Sequence, residues 1–148
     1  KYLNYKMIEI RHTGIVTKNL KKSIKFWQKL LKFKIKKKMI ERGKLIDKVL
    51  SYKNVKVKTI KLEDSFKNQI ELLYFFNAPN ISNKKIFPYS NGYTHISLTV
   101  KGIDNLYKKL KKNKIKFNSK PLISADGKVK MTYCKTPEGG FLELVEIL

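Results

Sequence analysis

Four side chains in this sequence have the types and spacing to do chemistry: His12, Glu71, His95 and Glu143. The two histidines are the only ones in the chain. His12 stands in "RHTGIVTKNLKKSIKFWQKL" and His95 in "GYTHISLTVKGIDNLYKKL", two stretches with one layout, an alternating run leading into a helical one. The glutamates lie in "IELLYF" and "FLELVE", each in the middle of an otherwise apolar strand-like run. A carboxylate buried in such a run needs a partner, because an isolated buried charge is very costly. Two imidazoles and two carboxylates converging on one cavity suit a borderline divalent cation. Taken singly, a histidine on a strand is ordinarily a satisfied structural residue, and a glutamate in a terminal strand an edge charge. Here the pair occurs twice at corresponding places, which favours a metal site.

The elements that must position these residues repeat as well. Residues 7–16 read as a strand, followed by a helix capped by Asn19 with Leu20, Ile24, Trp27 and Leu31 at helical spacing. Strand-like runs follow at 33–41, 55–62 and 68–76. Residues 77–92 interrupt the pattern with two prolines, several asparagines and a glycine, and read as a linker. The order then recurs. A strand at 93–100 precedes a helix carrying Ile103, Leu106, Tyr107 and Leu110; an extended piece lies near 115–120, with strands at 128–135 and 141–148 around the turn "TPEGG". His12 precedes Leu20 by eight residues and His95 precedes Ile103 by eight. Two βαβββ modules, 7–76 and 93–148, joined by the 77–92 linker into one domain, are the best account. Neither could bury much alone, so the two must share a sheet or barrel.

Alternation assigns faces. Ile96, Leu98 and Val100 form one face of their strand, with His95, Ser97 and Thr99 opposite. Leu142 and Leu144 oppose Phe141, Glu143 and Val145, while Ile70, Leu72 and Tyr74 oppose Glu71, Leu73 and Phe75. Each candidate ligand thus lies opposite an apolar face that would pack on a helix.

Composition narrows the class. A chain of 148 residues with 42% hydrophobic residues can make one ordinary domain or two small modules sharing a core, and no run is long and apolar enough to span a membrane. The start, "KYLNYKMIEI", has neither an initiating Met nor an apolar signal region, so a few residues are expected to be missing and the location to be cytoplasmic. The single Cys134 allows no intrachain disulfide and reads as a buried strand residue rather than a nucleophile. The formal net charge of +23 invites a nucleic-acid reading, yet Arg11 and Arg42 are the only arginines among 34 basic residues. Readers of phosphates and base edges lean on arginine's planar fork. Lysine, asparagine and isoleucine share AT-rich codons, so genome bias is the plainer source of the charge. Its functional residue would be nonspecific polyanion affinity or attraction of an anionic substrate. Nucleic acid is not the expected partner.

The stretches quoted above, together with "KTPEGGFLELVE", resemble the vicinal oxygen chelate superfamily, which includes glyoxalase I, methylmalonyl-CoA epimerase, extradiol dioxygenases, fosfomycin-modifying enzymes and bleomycin-binding proteins. The resemblance covers almost the whole chain. "TPEGGFLEL" is similar to the family's D-P-D-G-N-x-x-E-L, with Thr136 for the first Asp. The resemblance implies an α+β fold in which two βαβββ modules form an eight-stranded curved, barrel-like sheet with flanking helices. It also implies a homodimer, and His12, Glu71, His95 and Glu143 as ligands of a divalent ion (Zn, Ni, Co, Mn or Fe). Val16 and Phe75 stand where the glutathione-using glyoxalase carries Arg and Asn, which counts against lactoylglutathione. Epimerases typically carry Gln at the Glu71 position. Extradiol dioxygenases could use His12, His95 and Glu143 but usually lack a fourth carboxylate.

The implied activity is a glyoxalase-like, divalent-metal-dependent lyase or isomerase acting on a small vicinally oxygenated metabolite. Four protein ligands leave about two octahedral positions for two neighbouring substrate oxygens. The ion would stabilise an enediolate while a carboxylate moves the proton. Glu143 is the first choice as base and Glu71 the second, with Phe75 and Phe141 as an apolar wall. The alternatives are a non-catalytic small-molecule binding or resistance protein of the same fold, and an extradiol-type dioxygenase.

Overall fold

A computed structural model describes residues 8–79, 81 and 84–148. Part of the expected first strand, Met7, lies outside the described residues. The chain divides into two compact units, the first ending at Pro79.

In the first unit, β1 (Thr13–Val16) leads into α1 (Leu20–Ile24), which continues as a wider π-helical turn, Lys25–Leu30. The Asn19 side chain accepts from the Lys22 N–H at 3.0 Å, supplying the expected cap. The wide turn, closed by the Leu31 N–H donating to the Phe26 carbonyl, alters the expected apolar face. Phe26, Trp27 and Leu30 are buried together, and Trp27 meets Phe26 and Phe33 edge-on at 5.2 and 5.5 Å. Then follow β2 (Lys34–Arg42), α2 (Lys44–Leu50), β3 (Lys56–Glu63) and β4 (Gln69–Phe75). The strand order is β1-β4-β3-β2, with β1 parallel to β4 and the other pairs antiparallel.

The second unit repeats the plan with β5 (His95–Thr99), α3 (Ile103–Lys112), β6 (Leu122–Ile123), β7 (Val129–Lys135) and β8 (Phe141–Ile147). Its order is β5-β8-β7-β6, again with one parallel pair, β5 to β8. α3 buries Ile103 and Leu110, and the sheet buries Cys134, Phe141, Leu142 and Leu144.

Three expectations need correction. The eight strands do not form one barrel-like sheet: among the described residues they hydrogen-bond as two separate sheets of four, with β1, β2, β5 and β6 as edges. His12 precedes β1 instead of lying on it. The parallel ladder begins at Thr13 opposite Ile70, so pairing starts one residue after His12. The extended piece near 115–120 reduces to a single bridge, Phe117 to Cys134, before the two-residue β6. The helix α2 was not anticipated. Leu45, Ile46, Val49 and Leu50 recur in it at helical spacing, yet no residue of it is buried, and Asp47 holds it by accepting from the Asn54 and Val55 N–H groups. Among the described residues, no helix is long and apolar enough to cross a membrane.

Candidate metal centre

Each unit brings one histidine to one glutamate. In the first, Gly14 on β1 pairs with Glu71 on β4, and His12 lies two residues before Gly14. In the second, Ser97 on β5 pairs with Glu143 on β8, and His95 lies two residues before Ser97. A two-residue step keeps a side chain on the same face of an extended chain, so both histidines share a face with their glutamates. His12 Nε2 lies 4.0 Å from Glu71 Oε1, and His95 Nε2 lies 3.8 Å from Glu143 Oε2.

Those separations exceed a hydrogen bond. They are wider than the ~3.0–3.4 Å between neighbouring donors that each stand about 2.1 Å from a shared cation, so each pair would close by about half an ångström around an ion. His12 Nδ1 is buried and has no hydrogen-bond partner. The Nδ1 of His95 lies 2.9 Å from Thr94 Oγ1, a contact that fixes the ring and turns Nε2 toward Glu143. The glutamate side chains are the more buried members, at 12% and 17% exposure, while the histidines stay open at 31% and 38%. Nitrogen and carboxylate oxygen donors at this spacing, partly open to solvent, fit a divalent ion. Among the described residues of either unit, His, Cys, Asp and Glu gather in no group of three or more.

Beside each pair stands a residue that the sequence pattern left unmarked. Lys61 on β3 lies directly across from Glu71, its Nζ 3.6 Å from Oε2. Tyr133 on β7 lies directly across from Glu143, and its hydroxyl is 3.5 Å from His95 Nε2. Burial first, then the negative charge of Glu143 and a hydrogen bond to it, raises the Tyr133 phenol above its usual pKa. Lys61 and Tyr133 each precede their glutamate by ten residues, but with different residue types at the two places the spacing marks neither before the strand register is known.

Of the proposed apolar wall, Phe141 is buried under the Lys135 ammonium, which sits 3.5 Å from the ring centroid, and Phe75 is half-buried opposite Val57. Cys134 is fully buried on β7, and burial pushes its thiol up to about 12. That is the opposite of what a nucleophile needs.

A family model of the Glyoxalase/Bleomycin resistance protein/Dioxygenase superfamily matches residues 9–144. The chain belongs to this superfamily. Members of the superfamily include glyoxalase I, fosfomycin resistance proteins and dioxygenases. Among solved structures, a glyoxalase family protein from Bacillus cereus is similar at 20% identity, with a TM-score of 0.89 over 100% of this chain and 99% of that one. The trypanothione-dependent glyoxalase I of Leishmania major is similar at 19% identity, with a TM-score of 0.64 over 95% and 87%. The fosfomycin resistance protein FosX of Listeria monocytogenes, solved with Mn(II) and sulfate, is similar at 14% identity, with a TM-score of 0.64 over 96% and 95%. At these identities the superfamily likeness extends to the fold. No match was found among curated proteins.

Proposed function

We propose that this chain is a divalent-metal-dependent isomerase or lyase acting on a small metabolite with two neighbouring oxygens. In this reading residues 1–148 act as one vicinal oxygen chelate domain, and His12, Glu71, His95 and Glu143 are its metal ligands. The observation that carries it is the duplicated register: in both units a histidine stands two residues before the partner of a mid-strand glutamate. FosX, which shares the fold, was solved with Mn(II), and that supports a divalent ion here.

When bound, the ion supplies Lewis-acid stabilisation of negative charge developing on substrate oxygens. Glu143 is the general base: it takes the proton from the carbon beside those oxygens and returns it elsewhere. Glu71 is the second carboxylate able to do so. Thr94 holds the His95 ring in place through Nδ1, and Tyr133 stands within reach of both His95 and Glu143 to donate from its hydroxyl. A dimer in the cytoplasm is the setting this reading expects.

Metal analysis tests it. The purified protein should carry stoichiometric divalent metal, and His12→Ala together with His95→Ala should lose it. Metal at 100 times its Kd should stabilise the fold by about 2.7 kcal/mol. A protein that is purified without metal, and that gains no thermal stability when metal is added, overturns the proposal.

A further inference from the structure

The two half-sites share a His–Glu pair and differ at the position across the ladder from the glutamate. The residue across the ladder from the glutamate is Lys61 in the first unit and Tyr133 in the second. Tyr133 is engaged with both members of its pair. Lys61 is not engaged in the same way. Among the described residues its close acceptor is Glu71 Oε2 at 3.6 Å, beyond hydrogen-bond length. The other oxygen of Glu71 is the one facing His12. The next carboxylate along β3, Glu63, already has Lys36, Lys67 and Gln69 around it. Lys61 therefore keeps its three N–H donors, is 26% exposed, and owes its place to a single carboxylate.

That carboxylate is the one assigned above to the metal. Once a cation draws the charge of Glu71, Lys61 loses its counter-ion and becomes an unpaired ammonium beside the reacting group. A partly desolvated ammonium in that position attracts an oxyanion. We infer that Lys61 is a specificity-determining residue, which makes the site select substrates bearing a carboxylate or phosphoryl group next to the vicinal oxygens. This inference rests on the metal-centre reading. A lysine that merely neutralised Glu71 would affect all ligands of the site equally, whereas this one discriminates by ligand charge.

Three hydroxamates, all bidentate metal chelators, separate the possibilities: acetohydroxamate with an uncharged arm, N-hydroxysuccinamate with a carboxylate, and phosphoglycolohydroxamate with a phosphoryl group. Calorimetric titration of metal-loaded protein should show at least one charged chelator binding about tenfold tighter than acetohydroxamate, the contribution of one charge-assisted hydrogen bond. The arm that gains tells carboxylate from phosphoryl substrates. Lys61→Met should remove the preference while leaving metal content and acetohydroxamate affinity unchanged, and Lys61→Arg should retain part of it. A charge preference that survives Lys61→Met overturns the inference, as does an equal loss for all three chelators.

A second arm is independent of metal. In stripped protein, Glu71→Gln frees Lys61 directly, and phosphorus NMR titration with inorganic phosphate should show a several-fold gain in affinity that Lys61→Met added to Glu71→Gln abolishes. If the wild-type protein takes up no metal, the proposed function falls and this arm alone judges Lys61. No gain with Glu71→Gln, or a gain that persists without Lys61, overturns the inference on its own.

Discussion

Glu71 offers one oxygen to His12 and the other to Lys61, while Glu143 stands between His95 and Tyr133. At the scale of single residues, the candidates His12, His95, Glu71 and Glu143 were legible because the chain has only two histidines and each recurs in the same setting. Lys61 was not legible, since one lysine among so many carries no signal until strand register sets it opposite a carboxylate. Tyr133 was hidden for the same reason. Cys134 was read as a buried strand residue because no histidine lies near it in sequence, and it is fully buried on β7. Its thiol ordinarily loses a proton near 9 and in the fold only near 12, so the protonated folded form contributes stability up to about pH 9, which is lost as pH rises toward 12. At pH 8 a thiol reagent should leave Cys134 unmodified in the native protein and react with it stoichiometrically in denaturant. Rapid native labelling at pH 8 would contradict the burial.

At the scale of elements, the two modules solve one problem in two ways. Each helix after the first strand starts with unsatisfied N–H groups. α1 meets this locally, through Asn19. α3 begins after Gly102, whose φ of 70° suits glycine and whose missing side chain can cap nothing. There Glu146 of β8 reaches across, accepting from the Gly102 N–H and, at 3.2 Å, from the Ile103 N–H. A carboxylate at a helix N-terminus also gains from the helix dipole. Glu146→Ala should therefore cost about 1–2 kcal/mol in urea unfolding, with Asn19→Ala costing about 1 kcal/mol. If Glu146→Ala leaves stability unchanged, the cross-element cap contributes nothing. The Asn19 cap was readable from local sequence. The Glu146 cap was not, because its two ends lie 44 residues apart and meet only through the sheet. The strands were largely legible from alternation, whereas α2, only seven residues long, is too short for the helical spacing of Leu45, Ile46, Val49 and Leu50 to stand out between the flanking strand-like runs.

At the scale of the whole molecule, the charge of +23 is carried almost wholly by lysine, and few of the lysines are matched by the 11 acidic residues. Such an excess destabilises the compact state through self-repulsion, which salt screens. Raising sodium chloride from about 10 to 150 mM should lift Tm by roughly 2–5 °C, the shift that about 1 kcal/mol of relieved repulsion produces in a chain of this size. A Tm that falls with salt would mean attractive pairs outweigh repulsion. The repeat of the βαβ order was legible in the sequence. The division of eight strands into two hydrogen-bonded sheets was not, because alternation assigns faces and leaves neighbours undetermined.

The parallel pairs β1–β4 and β5–β8 join the first strand of each unit to its last, and they have a kinetic consequence. His12 and Glu71 are 59 residues apart and His95 and Glu143 are 48, so each pair closes the longest loop in its sheet. Long loops cost the most entropy to close and are late to be rewarded. A chain that has formed only its antiparallel hairpins holds both glutamates in place with neither histidine beside them. Each His–Glu encounter therefore reports that its sheet is complete, and any ligand needing both residues binds finished sheets alone.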